Sequence, residues 1–446
     1  MRPLIVSSSG TRAIVGENLH PKLGMDMAMA FGSFVGKGPV IVGGDTRVSY
    51  DMVKGSVISG LLAVGTDVID IGKVPTPTVQ QMIKHHNAAG GIVITASHNP
   101  IMWNGIKLMN ETGSFLTSDQ YDKYHQMLAG GNFKLAQWDD LGLLKEDNKA
   151  LQKHVDLVLS IIDPAPIKNS GLKVLIDANN GTGALIDPIL MDKLGVEYEI
   201  MNSEPDGKFA HDPEPLKGNL SGLIERLKAG DFDIGFVQDA DADRLVILAG
   251  DGTFIGEDYS LAFCVDYILS QIADVNKRVV VNLSTSMVID AVAKKHNATV
   301  DYTKIGEPNV TARLKEIKAQ VGGEGNGGVI YPKVGWGRDS LVGIVIALKH
   351  LAAKKKTVSE IVGEYPKFVM LREKVAVSNR EEIKEYLGKV EQKFPDAEKN
   401  KEDGIKIIFP NAWIHVRPSN TEPIVRVFIE APTQEAADSL MAKVKG

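Results

Sequence analysis

The chain has 446 residues, too many for a single hydrophobic core, which points to about three or four domains. Hydrophobic residues make up 43% and charged residues 24%, as in a soluble protein with a large buried core. A net charge of −6 argues against a broad nucleic-acid face, and the one cysteine, Cys264, excludes an intrachain disulfide and suits a reducing, cytoplasmic setting.

The opening residues have too short an apolar stretch for a signal peptide, and SSSGTR places Arg12 on an early loop. From Pro39, PVIVGGDTRVSYDMVKGSVISGLLAVGTDVIDIGKVPTP reads as strand, polar turn, amphipathic helix, strand. The same order returns from Lys173 (KVLIDANNGTG…) and from Arg278 (RVVVNLSTSMV…), so three similar α/β domains with mixed sheets are expected. Each turn, rich in Asp, Asn or Ser, is expected to cap its helix, and each helix to close at Gly or Asn. The run from Leu341 to Ala353, broken by Lys349 and His350, falls short of a membrane span. The tail alternates strands and turns between two helical stretches, a smaller C-terminal α+β domain. Composition and pattern place the domains at 1–148, 149–252, 253–366 and 367–446, arranged around a central cleft.

Four stretches carry chemistry. GGIVITASHNP ends an apolar strand at Ser97, His98, Asn99 and Pro100, which would present the Ser97 hydroxyl at a sheet edge as nucleophile or phosphate carrier. In DFDIGFVQDADADR, Asp239, Asp241 and Asp243 alternate, as if sharing one side of an extended chain. Such crowding needs a cation, and oxygen ligands select a hard ion such as Mg2+. An EF-hand is excluded, because Arg244 and Gly250 stand where its glycine and glutamate belong. GGEGNGG (Gly322 to Gly328) allows close ligand approach, with Glu324 and Asn326 able to bond sugar hydroxyls; neither a Walker nor a Rossmann pattern fits it. RPSNTEPIVRV sets Ser419, Asn420 and Thr421 between Arg417 and Arg426, a compact oxyanion receptor.

In order and approximate spacing, TASHNP with NGIK, DADADR, GEGNGG and RPSNTEP resemble the α-D-phosphohexomutase family over essentially the whole chain. The resemblance implies that Ser97 is a phosphoserine and that Asp239, Asp241 and Asp243 hold one Mg2+, with a Ser97 phosphate oxygen completing the site. It implies that Arg12, His98, Lys107 and Arg244 surround the transferring phosphate, with Lys107 and His98 as proton-transfer candidates. Glu324 and Asn326 would grip the sugar, and Arg417, Ser419, Asn420, Thr421 and Arg426 the distal phosphate. Three departures stand out: Ala240 replaces a glycine of the metal loop, and Asn326 and Gly328 replace the serine and histidine of the sugar loop.

The activity implied is isomerisation between hexose 6-phosphate and hexose 1-phosphate through a hexose 1,6-bisphosphate that turns end for end. By resemblance to archaeal members, glucosamine 6-phosphate is the favoured substrate, and a bifunctional phosphomannomutase/phosphoglucomutase is the alternative. A phosphatase using the same serine and a sugar-phosphate sensor are rivals of other classes. Neither nucleic acid nor membrane is expected as a partner, and the sequence leaves the oligomeric state open.

Overall fold

The computed structural model describes residues 4–7, 10–377, 379–419 and 424–445. Its three α/β domains repeat one four-strand plan. In the first, the strands are Val40–Gly44, Val68–Lys73, Gly90–Ile94 and Trp103–Asn110. They lie in the spatial order second, first, third, fourth, with only the fourth antiparallel. The second domain repeats this with Lys173–Asp177, Glu197–Met201, Ile234–Gln238 and Leu245–Ala249. The third does so with Arg278–Asn282, Thr299–Thr303, Val321–Glu324 and Gly328–Ile330. Strands Ile5–Ser7, Gly10–Ile14 and Leu144–Glu146 extend the first sheet to seven strands.

The first and third strands of the first domain are buried at every position, as expected of parallel strands covered by helices on both faces. Their β-branched runs fill two separate cores, one on each side of that sheet. The second and third domains instead share one apolar core, in which Val174 and Ile176 join Val279 and Val281. Helices Glu257–Ser270 and Ser340–Lys354, almost wholly buried, run through it. No described helix is long and apolar enough to cross a membrane.

The C-terminal domain is a five-stranded sheet, antiparallel throughout, in the order Val369–Ala376, Ile424–Ala431, Ala412–Pro418, Ile405–Phe409, Glu398–Asn400. Helices Arg380–Gln392 and Gln434–Lys445 accompany it, and its core is its own. It joins the third domain through polar contacts: Ser284 Oγ lies 2.8 Å from His415 Nδ1, and Met287 N donates to Glu430 Oε2 at 2.8 Å.

The expected helix closures are present, at Gly65 (φ 77°), Gly195 (φ 64°) and Asn297 (φ 54°). The expected caps are not. The helices starting at Tyr50, Gly183 and Val288 have no side-chain cap. Their turn residues bond elsewhere: Asp45 takes Arg47 and Thr95, Asn179 donates to the His211 carbonyl, and Asn282 donates to Glu324.

The close strand spacing in the first sheet depends on Gly44, where an added Cβ would lie 2.3 Å from the Ile94 carbonyl oxygen and 2.8 Å from its Cβ. Gly44→Ala should therefore cost about 1–3 kcal/mol by overpacking. A urea unfolding midpoint equal to the parent's would contradict this packing.

Candidate active site

The chemistry sits at the same topological place in each α/β domain. It occupies the connection from third to fourth strand, at the carboxyl end of the parallel strands. That connection carries Ser97 in the first domain, the three aspartates in the second and the Gly-rich hairpin in the third. The strand-to-helix turns that define the sequence repeat lie at the same sheet edge and act as supports.

Ser97 is 1% exposed and adopts φ 51°, a left-handed conformation uncommon outside glycine. Arg47, fully buried, holds it there. Its Nη2 donates to the carbonyls of Ser97 and Asn99, each at 2.7 Å, and its Nη1 to those of Pro100 and Trp103, each at 2.9 Å. Arg47 Nε donates to Asp45 Oδ2 at 3.0 Å, Thr95 Oγ1 donates to that oxygen at 2.6 Å, and Ser97 N donates to Thr95 Oγ1 at 2.8 Å. So fixed, the Ser97 hydroxyl donates to Asp239 Oδ2 of the second domain at 3.0 Å.

Asp239, Asp241 and Asp243 are fully buried, and one oxygen from each lies within 4.8 Å of the others. They converge through a tight turn, not along an extended strand as their alternation suggests. The strand ends at Gln238, Ala242 N donates back to Asp239 O at 3.0 Å, and Ala242 takes φ 50°. A strand would space alternate carboxylates too widely to share one ion. Ala240 stands outside the positive-φ region, so its methyl group is accommodated there.

Among the described residues, Asp241 Oδ1 and Asp243 Oδ1 are buried without a hydrogen-bond partner. Two orphaned anionic oxygens beside a third carboxylate fit a hard divalent cation. Burial, then the charges of Asp243 and Asp241, pushes the Asp239 carboxyl upward. Burial would also raise Asp241, but the Lys107 ammonium and its hydrogen bond, with Thr76, hold that carboxyl well below the usual range.

Four cations answer these carboxylates. Lys107, 2% exposed on the fourth strand of the first domain, donates to Asp241 Oδ2 at 2.6 Å and stands 3.6 Å from Asp243 Oδ2. Thr76 also donates to Asp241, and its backbone N–H donates to the Asp241 carbonyl at 2.9 Å. Arg244 Nη2 donates to His98 Nδ1 at 2.8 Å, and its Nε is 3.7 Å from Asp239 Oδ2. The acceptor at Nδ1 is therefore unprotonated. Burial, then Arg244 and Arg12, drives the His98 pKa well below its ordinary value, so the ring is neutral with Nδ1 3.3 Å from Ser97 Oγ. Arg12, pushed down to about 10 by burial and by Arg244, donates to Asn99 Oδ1 at 2.7 Å.

Arg338 comes from the third domain. Its Nη2 donates to Asp243 Oδ2 at 2.6 Å, its Nη1 to Glu324 Oε2 at 2.9 Å and its Nε to Glu307 Oε2 at 2.8 Å. Glu324, on the Gly-rich hairpin, also accepts from Asn282 Nδ2 at 3.0 Å and from Gly306 N at 3.1 Å. Asn326 Nδ2 lies 3.5 Å from Glu324 Oε2.

In the C-terminal domain, Arg417 and Arg426 are directly opposed on neighbouring strands. Asp403 accepts from Arg417 Nε at 3.1 Å and also from Ile305 N at 3.1 Å, which ties this end to the third domain. Ser419 N donates to Ile424 O at 2.9 Å, whereas Asn420 and Thr421 lie outside the described residues. The structure thus gathers Arg12, Ser97, His98, Lys107, the three aspartates and Arg244 into one cluster, with Glu324 joined to it through Arg338.

Sequence reasoning missed Arg47, Thr76, Glu307, Arg338 and Asp403. Arg47 and Thr76 each lie three residues past the end of a strand in the first repeat (GGDTR, VPTP), where a charged or hydroxyl side chain is the available signal. Arg338 and Asp403 offer none, because their partners are distant in the chain.

The sequence matches the described family "Phosphoglucomutase/phosphomannomutase" in each of its parts. These are α/β/α domain I at residues 4–134, domain II at 152–252, domain III at 256–368 and the C-terminal domain at 374–446. A Thermococcus kodakarensis protein described as phosphoglucomutase/phosphomannomutase is 37% identical over 96% of this chain and 94% of its own length. A Methanopyrus kandleri protein described as "Probable phosphoglucosamine mutase" is 36% identical over 97% of this chain and 95% of its own. A crystal structure of a phosphoglucomutase/phosphomannomutase family protein from Burkholderia thailandensis superposes with a TM-score of 0.86 at 26% identity, covering 99% of this chain and 97% of that one.

Arg47→Ala would strip partners from the buried Asp45 carboxylate and from four carbonyls at once. The expected loss is about 3–5 kcal/mol of stability, with Lys a poor replacement because it lacks the planar fork. Chemical denaturation checks this; an Arg47→Lys protein as stable as the parent would contradict the clamp.

Proposed function

The chain belongs to the phosphoglucomutase/phosphomannomutase family of α-D-phosphohexomutases, and we propose that it interconverts hexose 6-phosphate and hexose 1-phosphate, with glucosamine 6-phosphate as substrate, in the cytoplasm. The observation that carries this reading is the Ser97 hydroxyl, buried and 3.0 Å from Asp239 across a domain boundary, beside two orphaned carboxylate oxygens. That geometry supports a serine that carries a phosphoryl group over one that fills a turn.

In the proposed reaction phosphorylated Ser97 gives its phosphoryl group to the vacant hydroxyl of the sugar phosphate. The P–Oγ bond breaks and a P–O bond to the sugar forms; the sugar hydroxyl proton passes to a neutral base, His98 or Lys107 in its amine form, and Ser97 Oγ takes up a proton to become the hydroxyl again. The resulting hexose 1,6-bisphosphate turns end for end and returns its other phosphate to Ser97. Asp239, Asp241 and Asp243 would hold Mg2+, which when bound neutralises charge on the phosphoryl oxygens. Arg12 and Arg244 add charge complementarity at the same oxygens. Glu324 and Asn326 meet the sugar hydroxyls, and Arg417, Ser419, Asn420, Thr421 and Arg426 receive the phosphate that is not reacting. A buried site of this kind also keeps water from the phosphoserine.

A second reading, bifunctional phosphomannomutase/phosphoglucomutase, is favoured by the name of the Thermococcus relative at 37% identity. Rates on glucosamine, glucose and mannose 6-phosphates, with the matching 1,6-bisphosphate as activator, separate the two; preference for glucose or mannose would replace the first reading by the second.

Ser97→Ala should lose at least about 10⁴-fold in turnover while keeping its unfolding midpoint. Near-parental turnover would remove the carrier role, and free phosphate in place of isomerised sugar would identify a phosphatase. Asp241→Asn should weaken Mg2+ binding and lower kcat together, read by calorimetry and rate; unaltered Mg2+ affinity would detach this turn from the metal.

A further inference from the structure

Position 328 is glycine where the family resemblance leads one to expect histidine, and the structure shows what fills the space. A Cβ on Gly328 would lie 2.2 Å from Arg338 Cδ, 2.8 Å from its Cγ and 3.1 Å from its Cβ. The backbone of residue 338 is fixed beside the hairpin by a bridge between Ile330 and Arg338. To reach its partners the arginine stem must cross the face of residue 328. Gly328 is not in the positive-φ region, so its lack of a side chain is required by that crossing and not by its own backbone.

At the far end of the stem one guanidinium, 7% exposed, meets Asp243 of the metal-ready turn, Glu324 of the hairpin, and Glu307. Glu307 in turn accepts from Gln80 Nε2 of the first domain at 3.3 Å. Arg338 donates to one oxygen of Asp243, while Oδ1 has no hydrogen-bond partner among the described residues and faces Arg244 Nε at 4.0 Å. It also fixes Glu324 Oε2, which limits the rotamers open to that carboxylate.

We propose that Gly328 and Arg338 form one unit, in which Arg338 is the positioning residue that tempers the charge of Asp243 while orienting Glu324 toward the sugar. This rests on the reading that Asp243 holds the metal and Glu324 faces the substrate. A cation beside a metal ligand opposes the binding of a second cation, whereas a cation bridging two loops orders both. Losing Arg338 therefore acts on the two ligands in opposite senses. General damage to the fold would weaken both.

The test is a double-mutant cycle on the full chain: Gly328→Ala, Arg338→Ala and the pair, with Arg338→Lys as a fourth variant. Calorimetry with Mg2+ alone and steady-state kinetics on hexose 6-phosphate provide separate readouts. Arg338→Ala should bind Mg2+ about threefold or more tightly while the sugar-phosphate KM rises about tenfold, with Lys failing to restore KM. Gly328→Ala should shift both quantities in the same senses by displacing the arginine. The pair should match Arg338→Ala within about twofold, since neighbours acting through one group are not additive. Additive effects, or a loss of affinity for both ligands, would overturn the proposal. Gly328→Ala carries the test by itself if Arg338→Ala does not fold. Absence of turnover by the parent on every hexose 6-phosphate would sink the functional reading and leave the Mg2+ cycle to be judged separately.

Discussion

Three fully buried carboxylates within 4.8 Å of one another are the constraint to which the rest of the site responds. Such a cluster is unstable unless positive charge surrounds it. Lys107 supplies it from the first domain, Arg244 from the aspartates' own domain and Arg338 from the third. The electrostatics that make the turn a cation site therefore also bind three domains together. Removing one partner of a buried pair of this kind costs about 3–5 kcal/mol, so the site contributes substantially to domain assembly.

A single plan used three times explains how different chemistries come to face each other. In every α/β domain the third strand delivers its loop to the carboxyl edge of the sheet, and the antiparallel fourth strand takes the chain away again. One copy ends in a serine held in a left-handed conformation, one in a turn of aspartates, and one in a hairpin whose glycines admit an arginine. The common core of the second and third domains fixes the aspartates relative to the hairpin. The C-terminal sheet, with its own core, brings Arg417 to the assembly through Asp403 and the backbone of Ile305.

Much of this was legible in the sequence. The recurrence of strand, turn, helix and strand identified the α/β domains, because a buried parallel strand has to be β-branched and its crossover helix amphipathic. Ser97 and the aspartates were legible because three closely spaced carboxylates need a cation, and because the hydroxyl stands at a sheet's carboxyl edge, where α/β folds place ligands. Local geometry was less so. Asp45, Asn179 and Asn282 read as caps yet bond across the sheet edge, and the alternation of aspartates read as a strand yet folds as a turn. Arg338 could not be singled out, since one arginine looks like any other until the partners, far away in the chain, are brought to it. Gly328 read in the sequence only as a departure from the family's histidine and proves to be the space through which Arg338 passes.

In the proposed cycle Ser97 carries phosphate and depends on the aspartate turn to do so. The most direct measurement is peptide mass spectrometry of the protein after incubation with hexose 1,6-bisphosphate, then with hexose 6-phosphate, with Mg2+ or with chelator. One phosphoryl group is expected on the peptide containing Ser97, removed by the monophosphate only when Mg2+ is present. Phosphate on another side chain, or removal that ignores the chelator, would contradict it.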